Sequence, residues 1–417
     1  MGERHVHIDT LGHQGDGIVE TEKGPLYVAF ALPGEEVIIE EGPEAGRAIL
    51  RRIVTPSASR VAAPCAHFGK CGGCALQHLE AASYAEWKRN QVVTALAGQG
   101  LTGIAVAPLV PTQPGTRRRA TFAVTRTRKG ATLGFYEKSS HTIVPLAMCP
   151  ILVPEIEAAL PLLAALVAPG LSRKARAAVS VTQMANGIDV HVMGGKPDLP
   201  LAEREEIAQG ARQAGLARLT WDDEILFMTE PPLVNLAGFD VSPPPGAFLQ
   251  ASAAAEKTLT DLVVDGVGGA RRIIELYAGC GTFTLALARS RTVHAIDNVE
   301  AQLGALAKAV REQGPAVGLK PVTTEVRDLA RRPLLADELK KADALVLDPP
   351  RAGAREVVSA LKGAPVSRII MVSCNPATIA LDAALLAQAG YRLEKVTPVD
   401  QFLWSPHIEL VGCFSKG

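Results

Sequence analysis

The chain of 417 residues lacks net charge, since 43 Lys and Arg stand against 43 Asp and Glu. That absence excludes a uniformly basic coat for nucleic acid, while leaving room for a local basic face. It also lacks an apolar run able to cross a bilayer: the longest stretch, around Ala158–Leu171, is short and carries prolines. The start, Met1-Gly-Glu-Arg-His-Val6, has neither the basic nor the apolar region of a signal peptide. A cytoplasmic chain away from membranes is therefore expected. No internal repeat or low-complexity tract is present, and 47% apolar against 21% charged residues sets global disorder aside. The length predicts roughly two to four domains. Seven cysteines, an odd number, point in such a chain to metal binding or catalysis before disulfides.

The zero dissolves when the chain is divided. Residues 1–60 carry six basic and ten acidic side chains, a net of −4, whereas residues 101–140 carry seven basic and one acidic, a net of +6. The basic block holds Arg117, Arg118, Arg119, Arg126, Arg128 and Lys129 around the apolar Phe122-Ala-Val124. Residues 1–57 read as short alternating strands, among them His5–Leu11 and Glu36–Glu40, with turns at Gly15-Asp-Gly17, Lys23-Gly-Pro25 and Leu32-Pro-Gly34. That spacing predicts a small antiparallel barrel. Residues 58–245 begin with a cysteine-rich loop and a helix from about Leu79 to Ala97, continue as mixed strands and helices, and end at Pro243-Pro-Pro245. In residues 246–417 the apolar runs Ile273–Tyr277, Val293–Ile296, Ala344–Leu347 and Ile369–Val372 alternate with Ala-rich helical patterns. Buried strands alternating with helices predict an α/β, mostly parallel, doubly wound sheet that binds ligands outside the carboxyl ends of its strands.

The motifs fall at those ends. Glu275-Leu-Tyr-Ala-Gly-Cys-Gly-Thr-Phe283 reads as a strand, a Gly-x-Gly turn and a helix start, in which Gly279 and Gly281 let backbone approach a ligand. Asp297 closes the next strand, where a carboxylate can accept both ribose hydroxyls of an adenosine. The third glycine of the dinucleotide fingerprint is missing, which disfavours a pyrophosphate and suits S-adenosylmethionine. Cys65, Cys71 and Cys74, with Cys149 far downstream, supply four soft ligands for zinc or for an iron–sulfur cluster, and ligand count leaves both open. Leu347-Asp-Pro-Pro-Arg351 and Met371-Val-Ser-Cys-Asn-Pro376 each end an apolar strand in a rigid polar turn. The second presents Cys374 as a nucleophile whose thiolate the next helix N-terminus would favour. Cys280 has no such setting, and Cys413 reads as core. Near the chain end, Glu409 starts an apolar strand and shares one face with His407 by period two; a partly buried carboxylate can act as a base near neutrality. A thiol and a base beside a methyl donor describe methylation of uracil carbon 5, which is too poor a nucleophile until a thiolate adds at carbon 6.

With these residues in view, the chain resembles the RumA/TrmA family of RNA (uracil-5-)-methyltransferases, and within it the TRAM-containing branch that acts on 23S ribosomal RNA. The resemblance rests on Leu32-Pro-Gly-Glu35, the Cys65/Cys71/Cys74/Cys149 set, Phe248-Leu-Gln250, Asp348-Pro-Pro-Arg351, Ser373-Cys-Asn-Pro376 and His407-Ile-Glu409, spread over nearly the whole length. It implies a Rossmann-like class I methyltransferase domain over 246–417, an OB-like TRAM barrel over 1–57 and a central α+β iron–sulfur domain over 58–245. It implies Cys374 as nucleophile, Glu409 as proton-abstracting base and a [4Fe-4S] cluster on the four cysteines. Gln250, Tyr277, Asp297 and Asp348 match cofactor and target-base positions, and Phe248 matches a uracil contact. RNA would be held by the barrel and by Arg117–Arg119 through its phosphates, the protein acting as a monomer. Three other readings are weighed against this one. The first is the same chemistry on the T-loop uridine of transfer RNA, although enzymes of that branch usually lack both barrel and cysteine set. The second is amino methylation, for which Asp348-Pro-Pro normally ends in an aromatic rather than Arg351. The third is an iron–sulfur RNA-binding protein without methyl transfer.

Overall fold

Turn chemistry shapes the first part of the chain, for which a computed structural model describes residues 3–42, 44–173 and 176–416. Strands Arg4–His7, Thr10–Leu11, Gly17–Val19, Leu26–Val28, Glu36–Glu41 and Arg47–Thr55 make one six-stranded sheet around buried Ile8, Val28, Val37 and Ile39. The single strand expected over His5–Leu11 is two. Ile8 leaves the ladder and drops into the core, its N–H donating to Glu35 O and its carbonyl accepting from Gly34 N–H. The pairing is antiparallel apart from Leu26–Val28, which runs parallel to Arg47–Thr55.

The cysteine loop leads into helix Ala81–Ala97, two residues later than its apolar pattern begins, because the Glu80 carboxylate caps it by accepting from Ser83 N–H. A seven-stranded sheet over Arg119–Met228 follows, antiparallel except where Gly187–Met193 runs beside Arg218–Trp221. Helices Pro154–Val167 and Leu201–Gln213 pack on it through Ile156, Leu163 and Ile207, all fully buried.

In the last part, Val322–Val326, Thr292–Asp297, Arg272–Leu276, Ala344–Leu347 and Arg368–Ser373 lie side by side and parallel. Apart from the largely exposed edge strand Val322–Val326, their Val/Ile/Leu runs are sealed on both faces, as such strands require. Glu409–Lys416 then joins antiparallel to Arg368–Ser373, and Tyr391–Val399 antiparallel to Glu409–Lys416. The outer edge is closed by Ala105–Val106, parallel to Tyr391–Val399 and drawn from a stretch that the sequence groups with the cysteine loop. Helix Ala81–Ala97 accompanies it, burying Val92 and Leu96 in the same core as Ile379 and Leu386. Among the described residues no helix is long and apolar enough to cross a membrane.

Candidate active site

The sheet brings its chemistry to one end. Tyr277, Gly279 and Gly281 follow strand Arg272–Leu276, Asp297 ends its own strand, Asp348 follows Ala344–Leu347, and Cys374 follows Arg368–Ser373. Glu409 arrives from the opposite direction. Ser373 pairs with Leu410, so the register carried one step further sets Cys374 against Glu409, and Val399 flanks Glu409 on the other side.

The cofactor end is built from backbone. Gly279 N–H donates to Asp297 Oδ2 at 2.8 Å and Val299 N–H to Asp297 Oδ1 at 2.9 Å, which fixes that carboxylate while leaving lone pairs on both oxygens. Gly281 has φ of +95° and lies against Leu306; a Cβ there would meet Leu306 Cδ1 at 2.4 Å. Tyr277 holds φ of +63°, a conformation that costs a non-glycine residue about 1–3 kcal/mol and clusters at ligand sites. The helix after this turn is short, only Thr284–Leu287.

Several carboxylates crowd the cleft, with Arg351 the cation acting on Cys374. Glu275 is buried; its Oε2 accepts from Thr284 Oγ1 at 2.5 Å while its Oε1 has no partner. Burial, followed by Asp348 and Asp297 nearby, pushes its pKa up to about 8. Desolvation pushes Asp348 up to about 7. Glu409 is pushed up to about 8 by burial and then by Asp348, against a hydrogen bond from Gln401 that favours the ionised form. Cys374 is half-buried, and burial plus the charges of Glu409 and Asp348 push it up to about 11, with Arg351 opposing. The helix N-terminus, expected to favour the thiolate, does not prevail in the free protein: burial, with Glu409 and Asp348 adding to it, outweighs the backbone hydrogen bond that lowers the pKa. An orphaned carboxylate oxygen and proton-hungry carboxyls suit a cationic ligand, and S-adenosylmethionine carries its positive charge on the sulfonium and the ammonium.

Gln250 is buried, and its Nε2 lies 3.4 Å from Asp348 Oδ2. It ends the loop carrying Phe248, which is 56% exposed. Two of the three arginines expected to grip phosphates, Arg118 and Arg119, hold that loop. Arg118 is buried, paired with Glu256 at 2.6 Å, and donates to Gln250 O; its backbone N–H donates to Ala251 O. It is not available to a phosphate. Arg119 donates to Leu249 O and lies over the Phe248 ring at 5.0 Å, and Arg117 lies over Phe402 at 5.5 Å. Of the rest of the basic block, Arg126 donates to Pro169 O and Leu171 O, whereas Arg128 and Lys129 are exposed.

The segment before Glu409 is anchored from afar. Lys88, buried in helix Ala81–Ala97, pairs with buried Asp400 and donates to Phe402 O at 3.1 Å and His407 O at 2.7 Å. Trp404 N–H donates to Tyr84 Oη, and Trp404 O accepts from Ala75 and Leu76 N–H. His407 is therefore in this anchored turn rather than on the strand, its ring edge-on to Phe402. Lys88 and Asp400 stand 312 positions apart, and nothing in one sequence links them.

Cys65, Cys71, Cys74 and Cys149 are free thiols bordering one small cavity, otherwise walled by Phe68, Phe135, Leu146 and Ile151. Burial, reinforced by the other cysteines, pushes Cys74 up to about 12 and Cys149 up to about 11. Among the described residues, however, no three or more His, Cys, Asp or Glu side chains are grouped so as to hold a metal ion, this set included. Cys413, expected in the core, is only partly covered, while Cys280 is buried.

The chain is similar to known RNA methyltransferases. The family model described as tRNA (Uracil-5-)-methyltransferase matches residues 234–416. An RNA methyltransferase of Brucella melitensis is 44% identical over 416 residues, covering 99% of this chain and 98% of that one. The 23S rRNA (uracil(1939)-C(5))-methyltransferase RlmD of Vibrio cholerae is 32% identical, covering 99% and 95%. The crystal structure of the tRNA (uracil-54, C5)-methyltransferase of Pyrococcus abyssi with S-adenosyl-L-homocysteine superposes with a TM-score of 0.77 at 25% identity, covering 98% of this chain and 99% of that one.

Proposed function

The chain belongs to the RumA/TrmA family of RNA (uracil-5-)-methyltransferases, and on that premise we propose that it methylates carbon 5 of a uridine in 23S ribosomal RNA through a covalent Cys374–uracil adduct. The observation that carries the mechanism is the meeting of Cys374 and Glu409 at the carboxyl end of the sheet, with Asp348 beside both. S-adenosylmethionine, when bound, supplies an electrophilic methyl on a sulfonium. Asp297 and the Tyr277–Gly281 turn would hold its adenosine side, and Glu275 and Asp348 would face its positive charge. Phe248 and Gln250 would present the uracil. Cys374, only partly buried, gives up its proton to solvent and adds through Sγ to carbon 6, making carbon 5 nucleophilic. After carbon 5 has taken the methyl, Glu409 accepts its proton. The C5–H electron pair becomes the C5=C6 double bond, and the C6–S pair returns to Cys374.

The four cysteines would hold a [4Fe-4S] cluster. What speaks for a soft-metal site is that the four thiols border one cavity, and ligand count leaves zinc and a cluster both open. The cluster would act as a cross-link, and no step of methyl transfer runs through it. Residues 1–57 would be the TRAM barrel, working with the exposed Arg128 and Lys129 on RNA, alongside the central domain over 58–245 and the catalytic domain over 246–417.

A transfer-RNA target keeps a specific observation in its favour. The Pyrococcus abyssi tRNA enzyme matches this chain over its full length, so barrel and central domain do not by themselves select ribosomal RNA. The full-length 32% identity to a 23S enzyme favours the ribosomal target. Mass mapping of 5-methyluridine in ribosomal and transfer RNA from cells lacking the gene is the test. Loss from 23S RNA is expected. Loss from transfer RNA alone would move the target, and retention in both would end the reading. In vitro, Cys374→Ala should abolish transfer, and Glu409→Gln should stall with RNA covalently attached.

A further inference from the structure

One buried side chain touches both sides of the proposed reaction. Gln401 is 2% exposed and follows Asp400, whose ion pair with Lys88 fixes the segment. Its Oε1 accepts Ala251 N–H at 2.8 Å, a donor that cannot be reversed, so the amide has only one orientation. Its Nε2 then faces two acceptors, Gln250 Oε1 at 2.8 Å and Glu409 Oε1 at 3.2 Å. An amide nitrogen has two N–H bonds, and both are spent.

Two consequences follow for the partners. Gln250 must use its oxygen toward Gln401, which turns its NH2 toward Asp348, 3.4 Å away, and toward the cleft. Glu409 uses Oε1 as an acceptor toward the Gln401 N–H. Oε1 keeps a second lone pair, but a proton placed on it would weaken that contact, so Oε2 is the favoured site of protonation. We infer that Gln401 is a positioning residue that selects Glu409 Oε2 as the oxygen receiving the carbon 5 proton and, through the same amide, fixes the donor end of Gln250 toward the uracil. This rests on the adduct mechanism proposed above. In the step it governs, the C5–H bond breaks with its proton going to Oε2, its electron pair closes the C5=C6 bond, and the C6–S bond gives its pair back to Cys374.

A residue that merely filled space could be replaced by one of equal length. Gln401→Met keeps the length and removes both donors. In steady-state assays with S-adenosylmethionine and an RNA bearing the target uridine, we expect KM for both to stay within about two-fold while kcat falls about 10- to 100-fold. Enzyme–RNA adduct should accumulate on ordinary uridine during turnover, because formation outruns release. The ascending limb of the kcat–pH profile should move up by about one pH unit, since the lost hydrogen bond favoured ionised Glu409. Wild-type kcat and an unmoved limb would overturn the inference, as would a loss confined to KM without adduct. Should Gln401→Met not fold, Gln401→Glu keeps the shape and donates only when protonated, so its activity relative to wild type should rise as pH falls. A flat ratio would be equally fatal. Glu409→Gln in the same assay separates the two levels: if it accumulates no adduct, the adduct mechanism itself fails, whereas adduct there with normal release in Gln401→Met sinks only the role of Gln401.

Discussion

Binding of S-adenosylmethionine should expel protons from this site, and binding of S-adenosylhomocysteine should expel fewer. The free cleft holds Asp348 at about 7 and Glu409 at about 8, with Cys374 at about 11 behind them. At pH 7 Asp348 is thus about half protonated and Glu409 mostly so. A sulfonium at ~5 Å from one carboxylate interacts by about 3 kcal/mol at an effective dielectric of about 20, worth roughly two pKa units. Shared among several carboxyls and partly screened, the effect should still be at least one unit at Asp348. The sign is fixed by the direction of the shifts. These carboxyls are protonated too easily in the free protein, and a cation makes them acids again, so the bound form carries fewer protons and affinity rises with pH. The preference for S-adenosylmethionine over the neutral thioether should therefore grow about 10- to 100-fold from about pH 5.5 to about pH 8.5, then level off. Isothermal titration calorimetry in two buffers of different ionisation enthalpy counts the protons directly, with about half a proton more released by S-adenosylmethionine at pH 7. Equal release by both ligands, or a preference that does not change with pH, would refute the electrostatic account of the cleft.

Two further predictions concern residues whose surroundings, rather than their chemistry, decide their part. Arg118→Ala leaves Glu256 buried without its partner and should cost about 3–5 kcal/mol of stability, seen as a lowered thermal midpoint. It should leave the salt slope of RNA binding unchanged, whereas Arg128→Ala with Lys129→Ala should flatten that slope by up to about two and spare stability. Lys88→Met strands Asp400 in the same way and should be as destabilising, while Lys88→Met combined with Asp400→Leu should recover much of the loss in a double-mutant cycle.

The catalytic half was legible because period and punctuation agree there. Apolar runs ending in Tyr277, Asp297, Asp348 and Cys374 became parallel strands whose last residues share one rim. Cys374 and Glu409 could be paired from chemistry, and an antiparallel register brings them together. What failed were inferences that treat a residue by its neighbours in sequence. Three adjacent arginines look like a phosphate grip, yet the direction of Arg118 is set by Glu256, 138 positions away. A helix start looks like a thiolate's ally, yet burial opposes it at Cys374, with Glu409 and Asp348 adding to that from other strands. Gln401 and Lys88 carried no signal because a buried amide or ammonium is defined by partners the fold supplies.

The small strand Ala105–Val106 limits how the protein can be divided. With helix Ala81–Ala97 it finishes the edge and one face of the catalytic sheet, although both precede residues 119–228 and their separate sheet. A fragment cut at residue 246 would carry every reacting group and still display the free backbone of Tyr391–Val399 beside an uncovered apolar patch over Ile379 and Leu386. Such an edge invites pairing with another chain, so the fragment is expected to self-associate. A working minimal enzyme needs the loop region grafted back as a separate piece or a fused segment. The methyltransferase half is in this sense a noncontiguous unit, threaded by the chain twice.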